Sequence, residues 1–164
     1  MTYDTVPMSD VRQGRWAAHI EGDFVVFIIG TRLDWRHPIR WFRDVGGLKG
    51  MPYMLAQLQK NPEHGMLGYQ SFGLTNVQYW RSFDHLERWA AAPTEPHRPA
   101  LRKYWKRVGR TPRSGIWHET FLVRDGQYEA IYGNMPPRGL GKAGELVPLS
   151  EQSTARGRLR KRVA

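Results

Sequence analysis

Residues 24–30 read Phe-Val-Val-Phe-Ile-Ile-Gly. A run that is β-branched or aromatic, with no polar alternation, predicts a strand covered on both faces. Beyond Pro38 the pattern changes. Trp41, Val45, Leu48, Met51, Leu55 and Leu58 recur at three- and four-residue steps, the spacing of one helical face. Gly46, Gly47, Gly50 and Pro52 interrupt that face, and Pro52, lacking an N–H, suits only a first helical turn. The pattern therefore predicts a short helix from residue 38 and a better one starting at Met51 or Pro52, stopped by Asn61-Pro62. Residues 66–72 and 75–80 are aromatic-rich and flank Gly73-Leu74, which predicts an antiparallel hairpin. Ser82 is placed to cap a helix carrying Phe83, Leu86, Trp89 and Ala90, which Pro93-Thr-Glu-Pro ends. Pro99 opens another helix, with Leu101, Tyr104, Trp105 and Val108 on one face and Arg102, Lys103, Lys106 and Arg107 around the rest. Residues 116–124 form a last long strand, turning at Asp125-Gly126 into a second one over 128–132.

The predicted order is strand, helix, hairpin, helices, strand. That is the ferredoxin-like βαββαβ arrangement of an α+β protein, one sheet with its helices on one face. The other face would be an apolar patch too large for a monomer to leave bare, so a homodimer is expected, sheet against sheet, as a dimeric α+β barrel. Residues 1–22 are expected to be an N-terminal arm, 23–140 the barrel domain, and 141–164 a flexible basic tail.

The 164 residues suffice for one core and are short for two. The absence of cysteine removes disulfides, thiolate nucleophiles and cysteine-metal sites from consideration. No apolar run approaches the roughly 18–20 residues of a bilayer span, and Met1-Thr-Tyr-Asp lacks the basic start of a secretory signal, so no membrane partner and a cytoplasmic location are expected. A net charge of +10 invites a nucleic-acid reading, but Arg156, Arg158, Arg160, Lys161 and Arg162 concentrate much of it in the tail. A solvated terminus is the simpler account, and nucleic acid is not expected as a partner.

The ordered set Phe27-Ile-Ile-Gly30 with Arg32, the 51–58 helix, Gly65-x-Leu67-Gly68-Tyr69, Gln78-Tyr-Trp-Arg-Ser82 with His85-Leu86, His97, Gly115-Ile-Trp-His-Glu-Thr120 and Tyr128-Glu-x-x-Tyr132-Gly-Asn-Met-Pro-Pro137 resembles the bacterial relatives of the fumagillin-pathway monooxygenase. That family belongs with the dimeric α+β barrels of the antibiotic-biosynthesis-monooxygenase type. The resemblance spans residues 24–140. It implies a homodimer, an apolar pocket between sheet and helices, and oxygenation of a hydrophobic small molecule in specialised metabolism.

Read on their own chemistry, the residues offer one leading catalytic candidate. Strand alternation puts His118 on one face with Ile116, Thr120 and Leu122, and sends Trp117 and Glu119 to the other. Among apolar neighbours, His118 can serve as a general base, as an axial haem ligand, or as a hydrogen-bonded structural residue. No cofactor is expected. Haem on His118 is the alternative, and a non-catalytic dimeric binding protein is another. Tyr69, Tyr79, Trp80 and Trp117 are aromatic strand residues suited to stacking a planar substrate, with core packing as their ordinary role. Arg32 and Arg81, at strand ends, offer guanidinium forks to a carboxylate or phenolate, with surface or ion-pair roles as the ordinary reading, and Asn134 is a turn residue whose amide could also serve a pocket edge. His97, between Pro96 and Arg98, sits where a loop would cover the pocket mouth.

Overall fold

The computed structural model describes residues 10–109, 114–150 and 153–160. Two strands open the chain, β1 (Arg12–His19) and β2 (Phe24–Arg32). Pro38 starts the helix α1 (Pro38–Asp44), and a glycine-rich turn leads to α2 (Met51–Lys60), with Pro52 in its first turn and Met54, Leu55 and Leu58 buried. The hairpin is β3 (Met66–Phe72) and β4 (Thr75–Trp80). Ser82 caps α3 (Phe83–Ala91), its hydroxyl oxygen accepting from the His85 backbone N–H at 3.3 Å. The next helix, α4 (His97–Val108), starts two residues before Pro99. Pro99 is tolerated there because the first four N–H groups of a helix have no partner within it. Then follow β5 (Gly115–Val123), β6 (Tyr132–Met135), α5 (Leu140–Ala143), β7 (Glu145–Pro148) and α6 (Ala155–Arg160).

The main sheet runs β3-β4-β2-β5, with every neighbouring pair antiparallel. This is the ferredoxin-like order that the sequence predicts: the first strand of the motif lies centrally between its third and fourth. Register fixes the faces. Val25 lies between Trp80 and Leu122, Phe27 between Gln78 and Thr120, and Ile29 between Asn76 and His118. On this face the helices seal a core of Val25, Met54, Leu55, Leu58, Met66, Trp80, Leu86 and Trp89. The opposite face carries Val26, Ile28 and Gly30 beside Phe121, Glu119 and Trp117. A Cβ on Gly30 would stand 2.6 Å from the Trp117 Nε1, so the indole lies across a position where only glycine leaves room.

The segments outside the predicted motif are more ordered than the sequence suggests. β1, within the 1–22 arm, is the middle strand of a second sheet, β6-β1-β7, with Trp16 opposite Tyr132 on one side and Pro148 on the other. The 141–164 stretch, read as a flexible tail, supplies β7 and α6. Its path depends on Gly144, where a Cβ would lie 2.1 Å from the His19 carbonyl oxygen. The strand predicted over 128–132 begins only at Tyr132. Tyr128 is drawn elsewhere: its ring packs edge-on against Phe24 at 5.0 Å, and its hydroxyl accepts from the Ile20 N–H at 2.8 Å. The expectations for Met1-Thr-Tyr-Asp, Lys161 and Arg162 lie outside the described residues. Among the described residues, no helix is long and apolar enough to cross a membrane.

Candidate active site

A cavity of about 410 Å³ opens between the helix layer and the sheet. The floor comes from Ile29 and Thr31 of β2, Tyr69 and Ser71 of β3, Asn76 of β4 and Ile116 of β5. α1 contributes Trp41, Phe42 and Asp44, α2 contributes Met51, Met54 and Leu55, and α4 contributes His97, Ala100, Leu101 and Tyr104. The chamber lies beside the tight cluster around Trp80, sharing Met54 and Leu55 with it, and Gly46 and Gly47 of the α1–α2 connection line its edge. Its walls are mainly apolar, which suits a ligand whose binding is driven by burial of hydrocarbon.

Several polar groups on the wall are already committed. Thr31 donates its hydroxyl to the Gly115 carbonyl at 2.8 Å and accepts from the Trp41 indole at 3.3 Å. Tyr104 donates to the Ser114 carbonyl at 3.1 Å, and Ser71 donates to the Asn76 Oδ1 at 3.1 Å. His97 is held by its Nδ1, 3.1 Å from the Ala90 carbonyl, and by its ring, packed at a tilt 5.2 Å from Trp89. A carbonyl only accepts, so Nδ1 carries the proton and the lone pair sits on Nε2. His97 lines the chamber, and in the neutral ring this hydrogen bond fixes the tautomer.

The residues singled out from sequence scatter around this chamber. Tyr69 lines it. His118 lies on the same face of the sheet, but on the edge strand and exposed, with its ring 5.4 Å from Phe27, and it does not line the chamber. Arg32 is exposed at the end of β2 opposite Gly115. Trp80 is completely buried in the core and donates its indole N–H to the Gln78 Oε1 at 3.0 Å. Arg81 donates to the Glu21 carbonyl at 3.0 Å. Trp117 covers Gly30 on the opposite face. Asn134, at φ 50°, accepts from the Gly14 N–H at 2.9 Å and so fastens β6 to the irregular start of β1. Asn76, Asp44, Trp41 and Tyr104 were not singled out. They come together only through the helix layer, and no local motif marks them.

Tyr79 belongs to a second cavity, of about 420 Å³, beneath the C-terminal segment on the other face, with Phe24, Val26, Tyr128 and Tyr132. Burial raises the Tyr79 pKa above the usual tyrosine value, the neighbouring Tyr132 adds to this, and the Leu140 N–H works against it. Burial likewise raises Tyr132, whose hydroxyl accepts from the Gly141 N–H at 2.8 Å and donates to the Arg138 carbonyl at 2.9 Å. An acid whose folded pKa is raised binds more protons folded than unfolded, so the stability it contributes is intact below about pH 10 and is lost as pH rises through the folded values. The melting temperature of the protein is therefore expected to fall above about pH 10, and Tyr79→Phe with Tyr132→Phe should flatten that fall. An unchanged alkaline slope in the double variant would show that other groups set it.

The whole chamber wall, from Ile29 to Ile116, lies inside residues 24–140, and those residues match the family described as Monooxygenase af470-like. Monooxygenase af470 of Aspergillus fumigatus is 26% identical over 162 residues, covering 82% of this chain and 56% of that protein. The chain thus spans little more than half the length of that curated relative. With the sheet, the helix layer and the cavity all inside the matching segment, the chain belongs to the Monooxygenase af470-like family.

Proposed function

We propose that this chain oxygenates an apolar or aromatic small molecule held in the 410 Å³ chamber. The observation that carries the proposal is the chamber itself, hydrocarbon-walled, with a tautomer-fixed imidazole on its wall, within the segment that defines the family. In the cofactor-free form of the reaction, a base takes a proton from an electron-rich C–H and the carbanion passes its electron pair to dioxygen. Cleavage of the peroxide leaves one oxygen in a product ketone and releases the other as water. Two imidazoles can take the proton. His97 lines the chamber, with Nε2 as its acceptor. His118 stands two residues along β5 from Ile116 and would meet a ligand that extends past that wall residue. The geometry favours His97.

Incubation with a panel of electron-rich polycyclic and terpenoid compounds under ¹⁸O₂ tests the reading. One labelled oxygen in a product is the expected result, and label in no product overturns it. Haem carried on His118 is the alternative within the same fold. Protein expressed with a haem precursor is expected to be colourless, and a Soret band that disappears in His118→Ala would assign the chemistry to haem.

The homodimer is proposed on the face opposite the helices. There Phe72 is 62% exposed, Phe121 49% and Trp117 44%, even with the C-terminal segment covering one end. Sedimentation at micromolar concentration is expected to give about 38 kDa, twice the 19.1 kDa of one chain, and Phe121→Asp is expected to halve it. A 19 kDa species from the unaltered protein would remove the dimer.

A further inference from the structure

We infer that Asp44 is the polar anchor of the chamber and selects ligands that carry a protonated amine. This inference rests on the reading that the chamber holds the substrate. Asp44 is the last residue of α1, lines the chamber and is only 5% exposed. Its carboxylate has no hydrogen-bond or ion-pair partner among the described residues. The nearby Arg107 Nη1 is spent on the Arg43 carbonyl rather than on the acid. Apart from His97, no wall residue among the described residues can carry a positive charge.

Two structural considerations argue against an aspartate here. Buried carboxylates cost stability unless paired. The C-terminal turn of a helix is its negative end, where an anion is further disfavoured. A group that the fold pays to keep is explained by what it meets in the chamber. The strongest complement to an unpaired carboxylate in apolar surroundings is a cation that also donates hydrogen bonds, because a charge-assisted bond is roughly twice as strong as a neutral one. An alcohol of the same shape supplies the bond without the charge.

The full chain is titrated calorimetrically with 1-naphthylmethylamine and with 1-naphthylmethanol, which differ in little but that charge. The amine is expected to bind at least about tenfold more tightly than the alcohol. In Asp44→Asn the amine should weaken by about tenfold or more, with the alcohol within about twofold of its original affinity. The unliganded variant should melt at or above the temperature of the parent protein, as expected when an unpaired buried charge is removed. Equal binding of the two compounds, binding of neither, retention of the amine preference in Asp44→Asn, or a lower melting temperature or failure to fold in that variant would each overturn the proposal. These measurements involve no turnover. An amine preference in a protein that incorporates no ¹⁸O would keep the anchor and discard the oxygenase, whereas ¹⁸O incorporation without the preference would do the reverse.

Discussion

Trp80→Ala is expected to destabilise the protein by about 3–5 kcal/mol, read as a lower urea midpoint with an unchanged slope. Trp80 is the largest fully buried side chain. It ends β4 on the helix-facing side, stacks 5.7 Å from Trp89, and joins the cluster formed with Leu58 and Leu86. Its removal opens a void at the point where the sheet, α2 and α3 meet, and the surrounding side chains are fixed by three separate elements. The loss is larger than apolar area alone would give, because Gln78, itself 2% exposed, depends on Trp80 to satisfy its Oε1. Trp80→Phe separates the two contributions. It keeps most of the ring and leaves the amide oxygen without its donor, for which about 1–3 kcal/mol is expected. Ile39, 86% exposed on α1, is the control, and Ile39→Ala should stay within about 0.5 kcal/mol. A Trp80→Ala variant as stable as that control would mean that this cluster does not hold sheet and helices together.

Those contacts also show which parts of the molecule a sequence can announce. The central strand, the break between α1 and α2 and the β3–β4 hairpin each have local causes: an unbroken apolar run, prolines where only a first turn accepts them, a Gly-Leu pair between aromatic runs. Their order then leaves the ferredoxin-like topology as the simplest packing. β1 has no such signal. Gln13, Gly14 and Arg15 are exposed, and the strand exists because Trp16 to His19 find partners in β6 and β7, more than a hundred residues away. The site divides the same way. Tyr69 was legible only as an aromatic on a predicted strand, since strand aromatics such as Phe72, Trp117 and Phe121 face the open side instead. Asp44 and Asn76 were not, since which polar residue ends up on a cavity wall is decided by how the helices pack over the sheet. His118 was read correctly as sharing a face with Ile116, Thr120 and Leu122. Alternation says nothing about cover, and β5 is an edge strand whose residues 116–119 are exposed.

Once a labelled product is in hand, His97→Ala is expected to lower its rate of formation by about 10²–10⁴-fold, the usual contribution of a positioned acid or base. His118→Ala is expected to change that rate by less than about tenfold. The contrast follows from place rather than residue type. His97 lines the chamber, with its Nδ1 held to the Ala90 carbonyl and its ring packed against Trp89. Proton transfer needs hydrogen-bond reach, about 2.6–3.2 Å between heavy atoms or one intervening water, and a ligand filling the chamber has that reach to its walls. His118, on the open side of β5, has it only to a ligand that passes Ile116. His97→Gln adds a readout that packing loss would not mimic. It preserves polar bulk against Ala90 but cannot take up a proton, so activity should stay low while stability stays near that of the parent protein. The reverse pattern, with His118→Ala inactive and His97→Ala near normal at unchanged stability, would move the base to the edge strand and require the ligand to lie along β5.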